Sequence, residues 1–472
     1  MKKSVLKGIS LLIALFCLFN FTLTGCSNEK PDEGKKVITI WTNSRSDVEM
    51  RQKQVEEFNK TNKSGIEVQL VLKSDDYVDA LKASYQSNSS PDIHPSNAKL
   101  DTGAVMNGWY RELDEETVNY FTEKLLLPII GSVRNNENRM VKYTVKTGGI
   151  SSHRLIYNKD LFKECGLDPQ QPPKTWDELI EYAKIITEKG NGKKYGFGLP
   201  LKSNGFIHYY VLNPAIPSGV KLINGYNPIE GKYDFTQYAD MIEVLKKLIS
   251  DGSCFPSPST IDNDMARAQF AEGNIGMMAA YSWDVAVFSE QFPAKCDWAC
   301  VDFPTMTGEV IGGYPAAIGA GAGYVMSAQS KYPEEQLEVF KWFNGEEVAS
   351  ELQMAGLGNF QFKSLIGADK INNTLKGAAE LYSASSPAFF IEGVGGYRDP
   401  NAYMKIEGDS YADTIGNIIK ADLNTEETLE KLTKRYNDAL DRHIKEDKPD
   451  ASKYVNKDWN PIVDIDGLIN SK

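Results

Sequence analysis

Short apolar runs alternate with amphipathic helical segments at the start of the folded chain, and this alternation restricts the fold most. Residues 37–41 and 66–72 are β-rich runs, and residues 91–93 open a further short strand. Between them, residues 47–59 and 75–86 carry apolar side chains at helical spacing. A strand–helix–strand–helix–strand order is typical of an α/β domain. The sequence therefore predicts an α/β fold with a largely parallel sheet.

The same alternation resumes in the middle of the chain. Thr175-Trp176-Asp177-Glu178 has the form of a capping box, in which the Thr175 hydroxyl and the Glu178 carboxylate satisfy free amides at a helix start. The predicted helix ends at Gly190, and residues 194–199 indicate a strand. The other predicted elements are helices at 238–249, 263–271, 333–343, 348–354 and 425–444, and a buried strand at 275–281.

Composition excludes several classes of protein. The 472 residues are 41% hydrophobic and 25% charged, as in soluble globular proteins, and the length allows two or three domains. The formal net charge of −12 argues against a nucleic-acid partner, which requires a basic face. Cys165, Cys254, Cys296 and Cys300 have three possible pairings if all are oxidised, and free thiols are the other alternative. Because the four histidines are scattered, neither a metal site nor a cofactor is predicted.

The N-terminus has the pattern of an export signal. Lys2, Lys3 and Lys7 precede an apolar run over residues 9–21, which is too short to span a membrane. The segment Leu23-Thr24-Gly25-Cys26 then resembles the bacterial lipoprotein box, which implies cleavage after residue 25 and a diacylglycerol group on Cys26. We therefore expect a signal peptide over 1–25, a lipidated flexible tether over 26–36, and attachment to the outer face of the cell membrane. The alternative is a plain export signal followed by an incidental cysteine.

Several segments in a fixed order carry a wider resemblance. Residues 155–162 (Leu-Ile-Tyr-Asn-Lys-Asp-Leu-Phe) are followed by Pro-Lys-Thr-Trp-Asp-Glu-Leu at 173–179. Residues 263–283 contain Phe-Ala-Glu-Gly-Asn-Ile-Gly-Met-Met and end in Tyr-Ser-Trp, and Asp-Phe-Pro follows at 302–304. Together with the front strands, these segments resemble the extracellular solute-binding proteins of sugar ABC importers, of the maltose-binding type. The resemblance spans residues 37–445.

The resemblance implies a two-lobed periplasmic-binding-protein fold of type II, with the ligand in a cleft between the lobes. It places the first lobe at 36–148 plus 302–345 and the second at 149–301 plus 346–472. Chain crossings are expected near 145–152, 298–306 and 340–350. The implied function is capture of a mono- or oligosaccharide and its delivery to an ABC permease, by a protein that we expect to be a monomer without a cofactor.

A sugar presents hydroxyls around apolar C–H faces, so its site needs hydrogen-bonding groups at the edges and an aromatic ring against one face. In the first lobe, polar residues follow strands at the edge where α/β folds place ligands. A core role for Trp41 and a capping or ion-pair role for Asp92 are the alternatives. The candidate contacts of this lobe are Trp41, Asn43, Ser44, Arg45, Asp92 and Asn97.

In the second lobe, Trp283 is the main candidate for the aromatic platform, with Tyr281 and Asp284 beside it. Tyr209 is preferred to His208 as a further stacking residue. The Gly-rich stretch at 313–323 lacks the Lys-Ser/Thr ending of a phosphate loop, so that a loop at the mouth of the cleft is the better interpretation. The remaining candidates are Ser151, Tyr314, Gly321 and Arg398.

The alternative functions are a cell-surface glycosidase and a surface sensor or adhesin. Paired carboxylates in a cleft would suit a glycosidase, but no candidate pair lies in a recognisable catalytic motif. The Gly-x-Ser-x-Gly, His-Glu-x-x-His and Walker patterns are also absent. A surface sensor or adhesin with the same binding fold is the stronger alternative. The prediction is a binding protein and not an enzyme.

Overall fold

The computed structural model describes residues 35–73, 77–97, 100–137, 139–319, 323–367, 370–372, 374–390, 400–465 and 467. The predicted Cys26 lipid site, Gly321 and Arg398 lie outside these residues. The strands are β1 (Lys36–Thr42), β2 (Ile66–Leu72), β3 (Ile93–Pro95), β4 (Ile129–Arg134), β5 (Met140–Lys146), β6 (Ile150–Ser152), β7 (Arg154–Asn158), β8 (Tyr195–Gly198), β9 (Tyr226–Asn227), β10 (Lys232–Tyr233), β11 (Ile275–Ala280), β12 (Trp298–Val301), β13 (Tyr314–Ile318), β14 (Tyr324–Met326), β15 (Ala388–Phe390) and β16 (Ile462–Val463).

The predicted helices are confirmed to within about three residues at each end. The helices are α1 (Val48–Thr61), α2 (Tyr77–Gln86), α3 (Asp101–Met106), α4 (Glu115–Lys124), α5 (Lys159–Glu164), α6 (Trp176–Gly190), α7 (Asn213–Ala215), α8 (Ala239–Ser250), α9 (Asn263–Ala271), α10 (Asp284–Ala286), α11 (Pro333–Phe343), α12 (Glu346–Met354), α13 (Ala378–Leu381), α14 (Tyr411–Lys420) and α15 (Thr425–Asp447). The capping box at the start of α6 is present, with the Thr175 hydroxyl accepting from the Glu178 amide and the Glu178 carboxylate accepting from the Thr175 amide.

The first lobe is built on a six-stranded sheet in the order β2-β1-β3-β14-β5-β4. β1 pairs in parallel with β2 over seven residues and also in parallel with β3. β14 is antiparallel to both β3 and β5, and β4 is antiparallel to β5. The expectation of a largely parallel sheet is therefore correct only for β1–β3. The other half is antiparallel because β4 and β5 form a hairpin and β14 enters the sheet from the opposite end.

The second lobe is built on a four-stranded sheet in the order β12-β7-β11-β8. All five residues of β7 are buried, because its successive side chains enter the cores on both faces of the sheet. Leu155 and Tyr157 pack in one core with α6, whereas Ile156 packs in the other with Ile275 and Met278. The apolar sequence of this strand thus reflects a sheet that is covered on both sides.

A third, linking sheet in the order β16-β15-β13-β6 joins the two lobes. β6 lies between β5 of the first lobe and β7 of the second, and β13 precedes β14, so the chain passes between lobes through these two strands. We expected a crossing at 298–306. β12 pairs with β7 inside the second sheet, so residues 298–301 belong to the second lobe, and a crossing in the residues that follow stays a prediction.

The helix α12 packs in the first lobe. Ala349 and Phe362 belong to the core around β1, and the Gln54 amide donates to the carbonyl oxygen of Val348 at 3.1 Å. The chain then enters the second lobe, where Ala378 packs in the core of β11. The resemblance implies that α12 belongs to the second lobe and that the chain crosses near 340–350. The packing places this crossing after Phe362, and the lobe boundaries stay predictions.

The four cysteines for which the pairing was open are free thiols: Cys165, Cys254, Cys296 and Cys300. In the described ranges, no helix combines the length and the apolar character that crossing a membrane requires.

Candidate ligand-binding cleft

A cavity of about 240 Å³ lies between the two lobes, next to the linking sheet. Asn43 and Ser44 line it from the first lobe, directly after β1 ends at Thr42. Ser282 and Trp283 line it from the second lobe, directly after β11 ends at Ala280. Both lobes therefore contribute the carboxyl end of a central strand, which is where open α/β sheets bind ligands.

Trp283 offers an aromatic surface to the cavity. Its side chain is 37% exposed, although most large apolar side chains near it are buried. The indole stacks on the ring of Tyr281, with ring centroids 4.7 Å apart and an angle of 25° between the planes. Tyr281 is fully buried, and Tyr209 lies against it at 4.5 Å. Trp283 is thus held from behind while its other face stays open.

Asp284, a predicted ligand contact, instead fixes this platform from inside the lobe. The carboxylate is only 1% exposed, accepts a hydrogen bond from the Tyr281 amide at 2.8 Å, and pairs with Arg267 at 2.6 Å. Burial raises the pKa of the Asp284 carboxyl, and the nearby Arg267 opposes that rise. Because this side chain has no route to solvent, the structure gives it a structural role.

Ser151 and Tyr209 lie one layer behind the cavity wall. The Ser151 hydroxyl is buried and lies 2.9 Å from the hydroxyl of Ser282, which does line the cavity. Tyr209 lies in a π-helical turn over His208–Leu212 and contacts Trp283 edge-on at 6.1 Å. These two residues orient the cavity wall and do not form its surface.

Trp41 and Arg45 are absent from the cavity surface. Trp41 packs against the core formed by Tyr77 and Leu81, and the Lys73 ammonium lies 5.1 Å above its ring. Arg45 is exposed, outside the cavity wall. This packing agrees with the core role that is the alternative to ligand binding for Trp41.

Asp92, Asn97 and Tyr314 also lie away from the cavity surface. Asp92 precedes β3, and its carboxylate accepts from the Thr39 amide at 2.8 Å and from the Ser330 hydroxyl at 2.5 Å. The Asn97 amide donates to Asp101 at 2.9 Å at the start of α3. The Tyr314 amide donates to the Pro387 carbonyl within the linking sheet. Of the predicted contacts that the structure describes, Asn43, Ser44 and Trp283 line the cavity.

Comparison with known proteins now decides the family. The sequence profile of the bacterial extracellular solute-binding proteins matches residues 42–350, about two thirds of the chain. The chain belongs to this family. The resemblance inferred from the motifs is confirmed, and the family is one of binding proteins that act outside the cytoplasm.

Curated relatives of this solute-binding protein include the sn-glycerol-3-phosphate-binding periplasmic protein UgpB of Escherichia coli K12. It is 35% identical over an alignment of 147 positions, which covers 26% of this chain and 33% of the relative. UgpB of Pectobacterium atrosepticum is 34% identical over a match of similar extent. The chain therefore spans about a third of the length of these relatives.

Solved structures share the two-lobed fold at low sequence identity. A protein of xylan utilisation in Caldanaerobius polysaccharolyticus matches with a TM-score of 0.66 and 20% identity, over 85% of this chain and 100% of that one. A Thermotoga lettingae solute-binding protein bound with α-D-tagatose gives 0.62 and 18%, over 86% and 100%. The sugar-binding protein MalE of Xanthomonas citri gives 0.60 and 14%, over 88% and 100%. The predicted fold is confirmed.

Sequence reasoning missed part of the cavity of this solute-binding protein. Asp47, just before α1, and Arg51 of α1 line it, as do Asn344 after α11 and Asn359 near the third chain crossing. Asp47 and Arg51 lie on the helix face that carries Val55, where an apolar residue would be expected. Two charged residues four positions apart on a core-facing stripe are a signal that could have been noticed.

The cavity has no net charge. Among its described lining residues, Asp47 and Arg51 are the only charged ones, and they pair with each other at 2.6 Å. No group of three or more His, Cys, Asp or Glu that could hold a metal ion occurs in the part of the chain that the structure covers. The cavity therefore offers an aromatic face, amide and hydroxyl groups and one internally neutralised pair, which is chemistry for binding a neutral polar solute.

Proposed function

We propose that this protein is a lipid-anchored receptor that binds a mono- or oligosaccharide between its lobes and delivers it to the permease of an ABC importer. The observation that carries the proposal is the open face of Trp283 opposite Asn43 and Ser44 in a cavity without net charge. An indole suits the apolar C–H face of a sugar ring, and the amide and hydroxyl groups suit its hydroxyls.

The charge balance favours a neutral sugar over a phosphorylated solute. The UgpB relatives carry a name that specifies sn-glycerol-3-phosphate, and a phosphate would need a surplus of positive charge or several free donors. Asp47 instead neutralises Arg51. The structures with the same fold include a solute-binding protein bound with α-D-tagatose and a sugar-binding protein, which agrees with the neutral alternative.

Anchoring and delivery rest on the N-terminal segment and on the family. Lipid on Cys26 would hold the receptor at the outer face of the membrane, and the ten or so residues that follow would reach about 16–19 Å as a flexible coil. Such a tether keeps the folded body beside a permease. Closure of the two lobes over the sugar would give the permease a shape that differs from the empty receptor.

A thermal-shift panel tests the ligand class. The purified protein is heated with neutral mono- and oligosaccharides, with sn-glycerol 3-phosphate, and with amino acids and peptides. A neutral sugar at 100 times its dissociation constant should stabilise the protein by about 2.7 kcal/mol, and the other compounds should not. Stabilisation by glycerol phosphate alone, or by peptides alone, would refute the carbohydrate assignment.

A further inference from the structure

Asp47 and Arg51 form an almost fully buried ion pair at the edge of the cavity. Their side chains are 11% and 9% exposed, and Arg51 Nε donates to Asp47 Oδ2 at 2.6 Å. The guanidinium lies 4.5 Å from the ring centroid of Phe343 and 5.6 Å from that of Tyr324, so it packs against this pair of aromatic rings. These contacts fix the pair in one place.

Each partner of the pair retains one polar atom without a hydrogen bond. Among the described residues, Asp47 Oδ1 and Arg51 Nη1 are both buried and have no partner. Asp47 also occupies the position before α1 where an aspartate usually caps the helix, yet its side chain makes no capping bond. Buried polar atoms in proteins are nearly always paired, and both residues line the cavity, so a polar group that enters the cavity can supply the missing partner.

We infer that the Asp47–Arg51 pair is a specificity-determining seat for a single hydroxyl group of the ligand. A hydroxyl can donate to Asp47 Oδ1 and accept from Arg51 Nη1 at the same time. A carboxylate or phosphate would satisfy Arg51 but would place negative charge against Asp47, and an ammonium group would have the opposite conflict. This inference rests on the proposed function, because the hydroxyl belongs to the sugar in the same cavity.

Monodeoxy analogues of the best-bound sugar test the seat on the unaltered protein. Isothermal titration calorimetry should show that removal of one particular hydroxyl weakens binding by about 10- to 100-fold, as expected for a hydrogen bond to charged groups. The seat is refuted if every monodeoxy analogue binds as well as the parent sugar, because the pair would then hold only water. If no carbohydrate binds at all, the proposed function and the seat fail together.

Variants assign the effect to the pair. Asp47→Leu with Arg51→Met replaces the pair by apolar side chains of similar size, which removes the acceptor and the donor together, and in this double variant the same deoxy analogue should bind as tightly as the parent sugar. Gln54→Met is the matched control, since Gln54 lies on the same buried helix face and outside the cavity lining. If a variant that folds, as judged by circular dichroism, still discriminates against that analogue as the wild type does, the sugar-binding function stands and the seat is refuted.

Discussion

The rings of Tyr281 and Trp283 stack at 4.7 Å, with Tyr281 fully buried and Trp283 open to the cavity. The amide of Tyr281 is held by Asp284, which pairs in turn with Arg267. The orientation of the exposed indole is therefore set by groups that never reach the ligand. An aromatic surface that is fixed before the ligand arrives loses little conformational freedom on binding.

Removal of the indole should therefore affect binding far more than folding. Trp283→Ala should weaken sugar binding by about tenfold or more, as truncation of a central aromatic anchor commonly does. The free energy of unfolding should change by about 1 kcal/mol or less, because the ring is partly exposed. Trp283→Phe should recover part of the affinity. Calorimetric titration and urea unfolding measure the two quantities, and unchanged affinity in Trp283→Ala would contradict the platform role.

The same substitution at Trp41 should give the opposite result. Trp41→Ala removes a ring that packs on the first-lobe core and should lower the free energy of unfolding by about 1–3 kcal/mol. Sugar affinity, measured where the variant is fully folded, should stay within about twofold of the wild type, since Trp41 does not line the cavity. A large loss of affinity in a folded Trp41→Ala protein would instead support the ligand contact predicted from the sequence.

Asp284 should prove to be a stability residue. Asp284→Ala leaves Arg267 without its buried partner, and loss of one member of a buried pair costs about 3–5 kcal/mol. Asp264→Ala is the matched control, because it removes the other carboxylate that pairs with Arg267. The Asp264 side chain is 60% exposed. That change should cost about 1 kcal/mol or less. Equal losses in urea unfolding would contradict the role assigned to Asp284.

Acid should destabilise the protein through His94. The ring is fully buried, with Nε2 2.7 Å from the Tyr85 hydroxyl and Nδ1 2.9 Å from the Pro95 carbonyl. Burial lowers the pKa of His94 to about 4 in the folded protein. In the unfolded chain the same ring is protonated below about pH 6.5, so between these two pH values only the unfolded chain carries the proton. The free energy of unfolding should therefore decrease as pH falls from 6.5 to about 4, by on the order of 3 kcal/mol from this group.

Comparison of the wild type with His94→Gln separates the contribution of His94 to the pH dependence of stability from that of the carboxylates. Glutamine keeps a donor and an acceptor but does not titrate, so the variant should lose less stability between pH 7 and pH 4.5. Urea unfolding at several pH values measures the difference. Identical pH dependence in the two proteins would show that His94 does not contribute.

Local sequence rules predicted what depends on local geometry. The capping box of Thr175 and Glu178 and the bounds of α9 and α11 needed only helix periodicity and end signals. Trp41 and Trp283 both lie near the end of a strand. The sequence could not tell the core ring from the exposed ring, because that difference depends on which distant residues cover each one. For the same reason, the sequence could not show that Asp284 is buried or that Arg51 lines the cavity. Their burial is produced by tertiary packing, which a linear pattern does not contain.

A crystal structure of the protein with the sugar that stabilises it most tests directly whether the ligand binds between the lobes on Trp283. We expect one sugar ring stacked on the open face of Trp283, with polar contacts to Asn43 or Ser44 and one hydroxyl between Asp47 and Arg51. A ligand bound outside the inter-lobe cavity, or inside it without contact to Trp283, would contradict this binding mode.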